Sequence, residues 1–196
     1  TALSNKATKV LQAMAYRWGC EVDCMTCCKL LGLKPVIDKE TGGQKFEPDR
    51  DRKNLTTEYD LVVVDECSMI NEDMWTLLVN SVSRFTERTQ LLFVGDSAQL
   101  PPVGEAESPC FENVIARSDL TEVIRYGGAI GLLAEDVRTH LERPSMPRAV
   151  SDRNETNTEG IFTIPQPHWE NLMLRAFKSK AYNQNPDQVR VLAYTN

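Results

Sequence analysis

Residues 61 to 70 read LVVVDECSMI, an apolar run that stops on two adjacent acids. Four consecutive Leu and Val residues predict a strand buried on both faces, as strands of a parallel sheet are. Asp65 and Glu66 then stand where that strand ends. A surface turn accounts for them, because Asp is a common turn residue. So does a nucleotide site: at the carboxyl end of a parallel strand one carboxylate can hold Mg²⁺ while its neighbour orients water. A phosphate site also calls for a cradle, usually a Gly-rich loop closing on Gly-Lys-Ser/Thr. None occurs in these residues; the nearest approach is Gly43-Gln44-Lys45, and glycines otherwise pair only as Gly42-Gly43 and Gly127-Gly128. Either the acids serve another chemistry or the chain is missing its beginning.

The chain has 196 residues, enough for one large domain or one and a half. Its hydrophobic share of 41% and charged share of 26% are ordinary for a soluble globular protein. No apolar stretch approaches the roughly 20 residues that span a bilayer. No signal-peptide pattern opens the chain, so a cytoplasmic setting is expected. It begins at Thr1 without an initiator Met and ends on Asn196 after an apolar run, which predicts an interior piece of a larger protein. The net charge of −6 argues against polyanion binding over the whole surface and leaves room for a narrow basic channel. Cys20, Cys24, Cys27 and Cys28 crowd together, but tetrahedral zinc sites normally draw on two separated knuckles. His140 and His168 lie far off in sequence, so free thiols in a reducing compartment are expected.

Helical spacing of Ala7, Val10, Leu11, Met14 and Ala15 predicts a helix from Asn5 to Trp18, capped by Ser4 or Asn5 and stopped by Gly19. Thr1 to Ser4 read as the tail of a strand feeding it. Lys34 to Asp49 predict a β-hairpin around Glu40-Thr41-Gly42-Gly43, and Asp49 to Glu58 a solvated connection. After the acid pair, Met74, Leu77, Leu78, Val82 and Phe85 mark an amphipathic helix with Asn71 as its cap. Leu91 to Val94 form a second buried strand ending on Asp96. Further on, 111–118 is a short helix, Ile130 to Leu141 a longer one, and 142–159 a loop. Ile161 to Ile164 form a strand, Trp169 to Tyr182 a helix and Val189 to Tyr194 a last strand. Strands alternating with helices imply an α/β fold with crossover connections.

GDSAQLPPVG, residues 95 to 104, adds a second acid and a glutamine at a strand end. As a surface turn it is merely Pro-rich. As a site, Gln99 held beside Asp96 by the stiff Pro101-Pro102 suits a sensor of a terminal phosphate, since a Gln often orients the attacking water in phosphoryl transfer. Acids ending two strands would meet at neighbouring strand ends of a parallel sheet.

SNKAT (4–8), DECSM (65–69), GDSAQLPPVG (95–104), LTEVIRY (120–126) and VLAYTN (191–196) occur in the order found in RecD-like superfamily 1 DNA helicases, which the chain resembles throughout, most densely up to Tyr126. The resemblance implies a RecA-like P-loop NTPase sheet with helices on both faces. Residues 1–120 would be part of a first RecA-like domain, with a hairpin insertion at 34–58, and 121–196 the beginning of a second. It implies ATP and Mg²⁺, a phosphate loop ahead of Thr1 and further motifs after Asn196. By position, Asp65 resembles the Mg²⁺-binding acid, Glu66 the general base and Gln99 the γ-phosphate sensor, with Asp96 beside the nucleotide. Arg125 resembles an arginine that reaches the γ-phosphate; read alone it would be a surface ion pair. Ser4, Asn5 and Lys6 match a motif that contacts single-stranded DNA, and a hydroxyl, an amide and a cation at a helix start do suit a phosphate. Thr26, Pro101, Pro102, Thr195 and Asn196 are placed near DNA in the same way. Relatives often carry Thr-x-His where this chain has Thr26-Cys27-Cys28. The hairpin falls where these helicases carry a strand-separating pin, with Phe46 its one aromatic, able either to stack on a base or to pack under the hairpin.

The implied function is ATP-driven translocation on single-stranded DNA and unwinding at a fork, alongside replication or recombination proteins. Rivals are a metal-dependent nuclease using Asp65, Glu66 and Asp96, a non-catalytic nucleic-acid-binding module, and an RNA helicase of the same fold.

Overall fold

Only one face of the LVVV strand is buried. Val62 and Val64 are 4% and 0% exposed, whereas Leu61 and Val63 are 51% and 39% exposed. This arrangement comes from a computed structural model that describes residues 1–37, 39, 44–85, 88–122, 124, 127–141, 151–156 and 159–192. The expectation of a strand buried on both faces is therefore corrected. An unbroken apolar run conceals the two-residue alternation of a strand, and burial follows what packs on each side. The chain divides into two compact units, Thr1–Asp119 and Leu120–Asn196.

The first unit opens with α1 (Asn5–Arg17), whose cap is Ser4: its Oγ accepts the Ala7 N–H over 3.1 Å. Gly19, at φ +66°, turns the chain away after the helix. A short α2 (Cys27–Leu30) leads into β1 (Leu33–Ile37) and β2 (Gln44–Pro48), antiparallel from Leu33↔Pro48 to Ile37↔Gln44. The expected hairpin thus forms; its tip, 40–43, lies outside the described residues. The following connection is more firmly held than its charge implies. Thr56 is fully buried, its N–H and hydroxyl both donate to Asn54 Oδ1, and Thr89 Oγ1 donates to Thr56 O and Tyr59 O. Polar residues that satisfy one another can be buried cheaply, which a reading by charge overlooks.

Next come β3 (Leu61–Val64), α3 (Glu72–Phe85) and β4 (Gln90–Phe93). β3 and β4 pair in parallel from Leu61↔Gln90 to Val64↔Phe93. The apolar stripe of α3 covers one face of this pair: Met74 and Leu78 are buried with Val62, Val64 and Ile70, and Trp75 stacks obliquely on Phe93 with centroids 5.0 Å apart. Fully burying such side chains contributes about 1.5–3 kcal/mol each. Asn71 caps α3, accepting from the Met74 N–H over 3.0 Å. On the other side of β3, Asp65 N–H donates to Thr1 O over 2.8 Å, and Ala2 makes a parallel bridge to Thr26. The described strands make three two-stranded sheets, so the larger parallel sheet implied by the resemblance is not seen among them. Nor is there a helix at 111–118; that stretch is a turn followed by extended chain, in which Phe111 packs against the core and Ile115 is fully exposed, so the helical spacing of Phe111, Val114 and Ile115 has no layer to bury it.

The second unit holds α4 (Gly128–Thr139), β5 (Asp152–Arg153) paired antiparallel with β6 (Gly160–Ile161), α5 (Gln166–Phe177) and α6 (Lys180–Gln184). The single helix expected from Trp169 to Tyr182 is broken at Ser179, whose hydroxyl caps α6 by accepting the Tyr182 N–H. A capping serine inside an apolar period ends one helix and starts another. The strand expected at 161–164 shrinks to Gly160–Ile161, and 189–192 form none; 193–196 lie outside the described residues. No described residue of this unit is buried, so these segments lack the packing that turns local preference into regular structure. No helix among the described residues is long and apolar enough to cross a membrane.

Candidate active site

The parallel pairing of β3 and β4 brings their carboxyl ends side by side. The Val94 N–H donates to Val64 O over 2.8 Å, and the chain after β3 then folds back so that the Cys67 N–H donates to Val94 O over 3.1 Å. The fold-back pivots on Glu66, at φ +54° and ψ +43°, the one non-glycine residue with positive φ among those described. The left-handed region costs a residue with a Cβ roughly 1–2 kcal/mol, and such outliers gather at functional sites. It turns the Glu66 side chain outward at the end of the strand.

After β4, Asp96 organises a tight turn: its carboxylate accepts the Ala98 N–H over 3.0 Å and its carbonyl accepts the Gln99 N–H over 3.0 Å. Glu66 and Gln99 thereby line the same cleft of about 370 Å³, with Ser68, Met69, Ala98, Leu100 and Pro101. Asp65 and Asp96 are half-buried and Pro102 is buried, none of them lining the cleft. Among the described residues Asp65, Glu66 and Asp96 do not gather into a metal-holding group of three, and neither do the clustered cysteines.

Several positioning residues escaped the sequence reading. Glu105 Oε1 accepts the Glu72 N–H at the start of α3 over 3.2 Å, linking the loop after Gln99 to the helix after Glu66. An acid near a helix N-terminus is favoured electrostatically, but its partner helix was more than twenty residues back. Ser108 Oγ donates to Ile70 O over 2.7 Å and fastens the next turn. Cys110 is buried there; its interaction with the Cys67 thiol holds Cys67 below its ordinary value and, together with burial, pushes Cys110 up.

Gly95 is the tightest point. A Cβ placed there would stand 2.6 Å from Cys67 Sγ and 3.0 Å from Cys67 N. The backbone cannot yield without moving the Glu66 turn, so Gly95→Ala is expected to lower stability by about 1–3 kcal/mol, as overpacking does. Urea unfolding measures it; a midpoint and slope equal to wild type would mean that the turn has room.

The residues assigned to DNA are partly gathered. Ser4 caps α1 and Thr26 caps α2, where its Oγ1 accepts the Lys29 N–H, and the Ala2–Thr26 bridge sets the two caps on neighbouring segments. Asn5 and Lys6 are exposed in the first turn of α1. Phe46 instead packs against the apolar core, which favours the packing role over the stacking one. Arg125, Thr195 and Asn196 lie outside the described residues.

Two comparisons with known proteins bear on this site. A stretch of 91 residues is 41% identical to a protein of Acanthamoeba polyphaga mimivirus named "Uncharacterized protein R530", covering 46% of this chain and only 18% of that protein. A family model described as an AAA domain matches residues 1–105, which contain both strand ends and the whole cleft. Because that match spans more than half of the sequence, the chain belongs to the AAA-domain family.

Proposed function

We propose that this chain is part of a RecD-like superfamily 1 DNA helicase built on RecA-like domains, and that the terminal phosphate of ATP is hydrolysed in the cleft between Glu66 and Gln99. The observation that carries this is the convergence of those two side chains on one cleft from adjacent parallel strand ends. In that cleft Glu66 accepts the proton of the attacking water and Gln99 orients that water against the γ-phosphate.

Asp65 fits a magnesium ion: it is a half-buried carboxylate at the end of β3, the hard oxygen donor this cation takes. When bound, Mg²⁺ neutralises charge on the phosphate oxygens. A Gly-Lys-Ser/Thr cradle is not among these 196 residues, so activity is assigned to a protein in which this chain is joined to one. Arg125 adds positive charge to the γ-phosphate as transfer proceeds.

Ser4, Asn5, Lys6 and Thr26 then hold the phosphates of single-stranded DNA, with Pro101, Pro102, Thr195 and Asn196 nearby. The two hydroxyl-capped helix starts support this, since their oxygens already accept N–H groups and retain O–H protons for a phosphate. A DNA fork is the working substrate, with replication or recombination proteins as partners.

The test is ATP hydrolysis and fork unwinding by the natural protein containing this chain, with single-stranded DNA and RNA as competing activators. DNA-stimulated turnover with unwinding supports the reading. Strand cleavage without nucleotide, or no response to DNA, overturns it. In the same protein, Lys6→Ala is expected to weaken single-stranded DNA binding and lower the salt slope by about one, the loss of a single phosphate contact. Equal slopes across a salt series would remove Lys6 from the DNA path.

A further inference from the structure

Glu66, Ser68 and Gln99 are the polar side chains that line the cleft, and the rest of its wall is apolar. Ser68 is only 3% exposed and sits in the tight turn Cys67–Met69 that follows the left-handed Glu66. That turn is fixed at both ends: the Cys67 N–H donates to Val94 O, and the Ile70 N–H donates back to Cys67 O, each over 3.1 Å. Among the described residues the Ser68 hydroxyl has no hydrogen-bond partner, yet none of their fully buried side-chain polar atoms goes without one. Its oxygen therefore reaches the surface of the cleft. A hydroxyl withdrawn from bulk water and left unpaired costs free energy, so its presence calls for a reason. A ligand in the cleft supplies one.

We propose that the Ser68 hydroxyl is a further catalytic group, the third hydrogen-bond partner of the attacking water. This rests on the ATPase reading above. Water has two protons and two lone pairs. During attack one lone pair points at the γ-phosphorus and one proton at Glu66. One proton and one lone pair remain, and a single contact with the Gln99 amide fills only one of them. A serine hydroxyl both donates and accepts, so it fills the other whichever way the amide faces. An enclosed water makes about three hydrogen bonds. The side chains of this cleft provide three only when Ser68 is counted with Glu66 and Gln99.

In the chemical step the water oxygen bonds to phosphorus, and the bridging P–O bond breaks with its electron pair leaving on ADP. One water proton passes to Glu66. Ser68 keeps its own proton throughout. Its contribution is orientation, since a partner already fixed in place spares the entropy of aligning the nucleophile.

The experiment compares Ser68→Ala with wild type in the natural protein containing this chain, and unfolds this chain in urea with and without the substitution. Turnover at saturating ATP and DNA should fall about 10–100-fold, the loss of one hydrogen bond made to the transition state. Nucleotide affinity should stay within a few-fold. The urea midpoint should not fall, because removing an unpaired hydroxyl strands no partner. Unchanged turnover beside an active wild type overturns the assignment alone and leaves Ser68 a small filler of the turn. Lost turnover matched by a lower urea midpoint overturns it in favour of a structural role, and lost turnover matched by lost nucleotide affinity in favour of nucleotide holding. A wild type that hydrolyses no ATP in the presence of DNA defeats the function reading first, and this assignment with it.

Discussion

Glu66→Gln in the natural protein that carries this chain should cut DNA-stimulated ATP hydrolysis by about 10³-fold while leaving nucleotide binding in place. The amide has the size and shape of the carboxylate, so the left-handed turn at φ +54° and the 370 Å³ cleft should persist. What disappears is the capacity to accept a proton from water as the phosphate is attacked. Steady-state turnover and nucleotide titration, run on the same preparation, separate the two effects. Turnover within a few-fold of wild type would mean that Glu66 is not the base. Loss of nucleotide binding in step with rate would mean that it holds the nucleotide instead.

Arg125→Ala should have a comparable effect for a different reason. Read through its place in LTEVIRY, Arg125 adds positive charge to the terminal phosphate as negative charge shifts during transfer, a contribution of about 10³–10⁵-fold where arginine fingers have been removed. DNA affinity at fixed salt should change little, because the side chain is assigned to nucleotide and not to DNA. That contrast sets it against Lys6→Ala, in which binding falls and the rate at saturating DNA is retained. Loss of DNA affinity with turnover intact in Arg125→Ala would return the residue to the surface ion pair it would otherwise be.

The strand ends were legible in the sequence because their signals are local. LVVV followed by Asp65-Glu66, and a second apolar run followed by Asp96 and Gln99, each fit within a dozen residues, and the parallel pairing of β3 with β4 brings Glu66 and Gln99 to one cleft. The helix caps at Ser4 and Asn71 were equally local and came out as expected. The supports of the site were not. Glu105 reaches back to Glu72 and Ser108 to Ile70, and no spacing rule connects residues that far apart. The open face of β3 was misread because burial depends on the neighbouring layer as well as on the strand. Helix α5 was overextended because Ser179 sits within an apolar period that would otherwise continue.

The left-handed backbone at Glu66 sets stability against activity. Glycine occupies that region freely, so Glu66→Gly would relieve roughly 1–2 kcal/mol of strain, offset in part by about 0.5–1 kcal/mol of added chain entropy in the unfolded state. Folding therefore gains nothing from glutamate here, and selection for thermal resistance alone would drift toward a tougher molecule that has lost its base. Screens that rank variants of this chain by melting temperature should accordingly favour inactive substitutions at position 66, and only an assay of turnover would keep the acid.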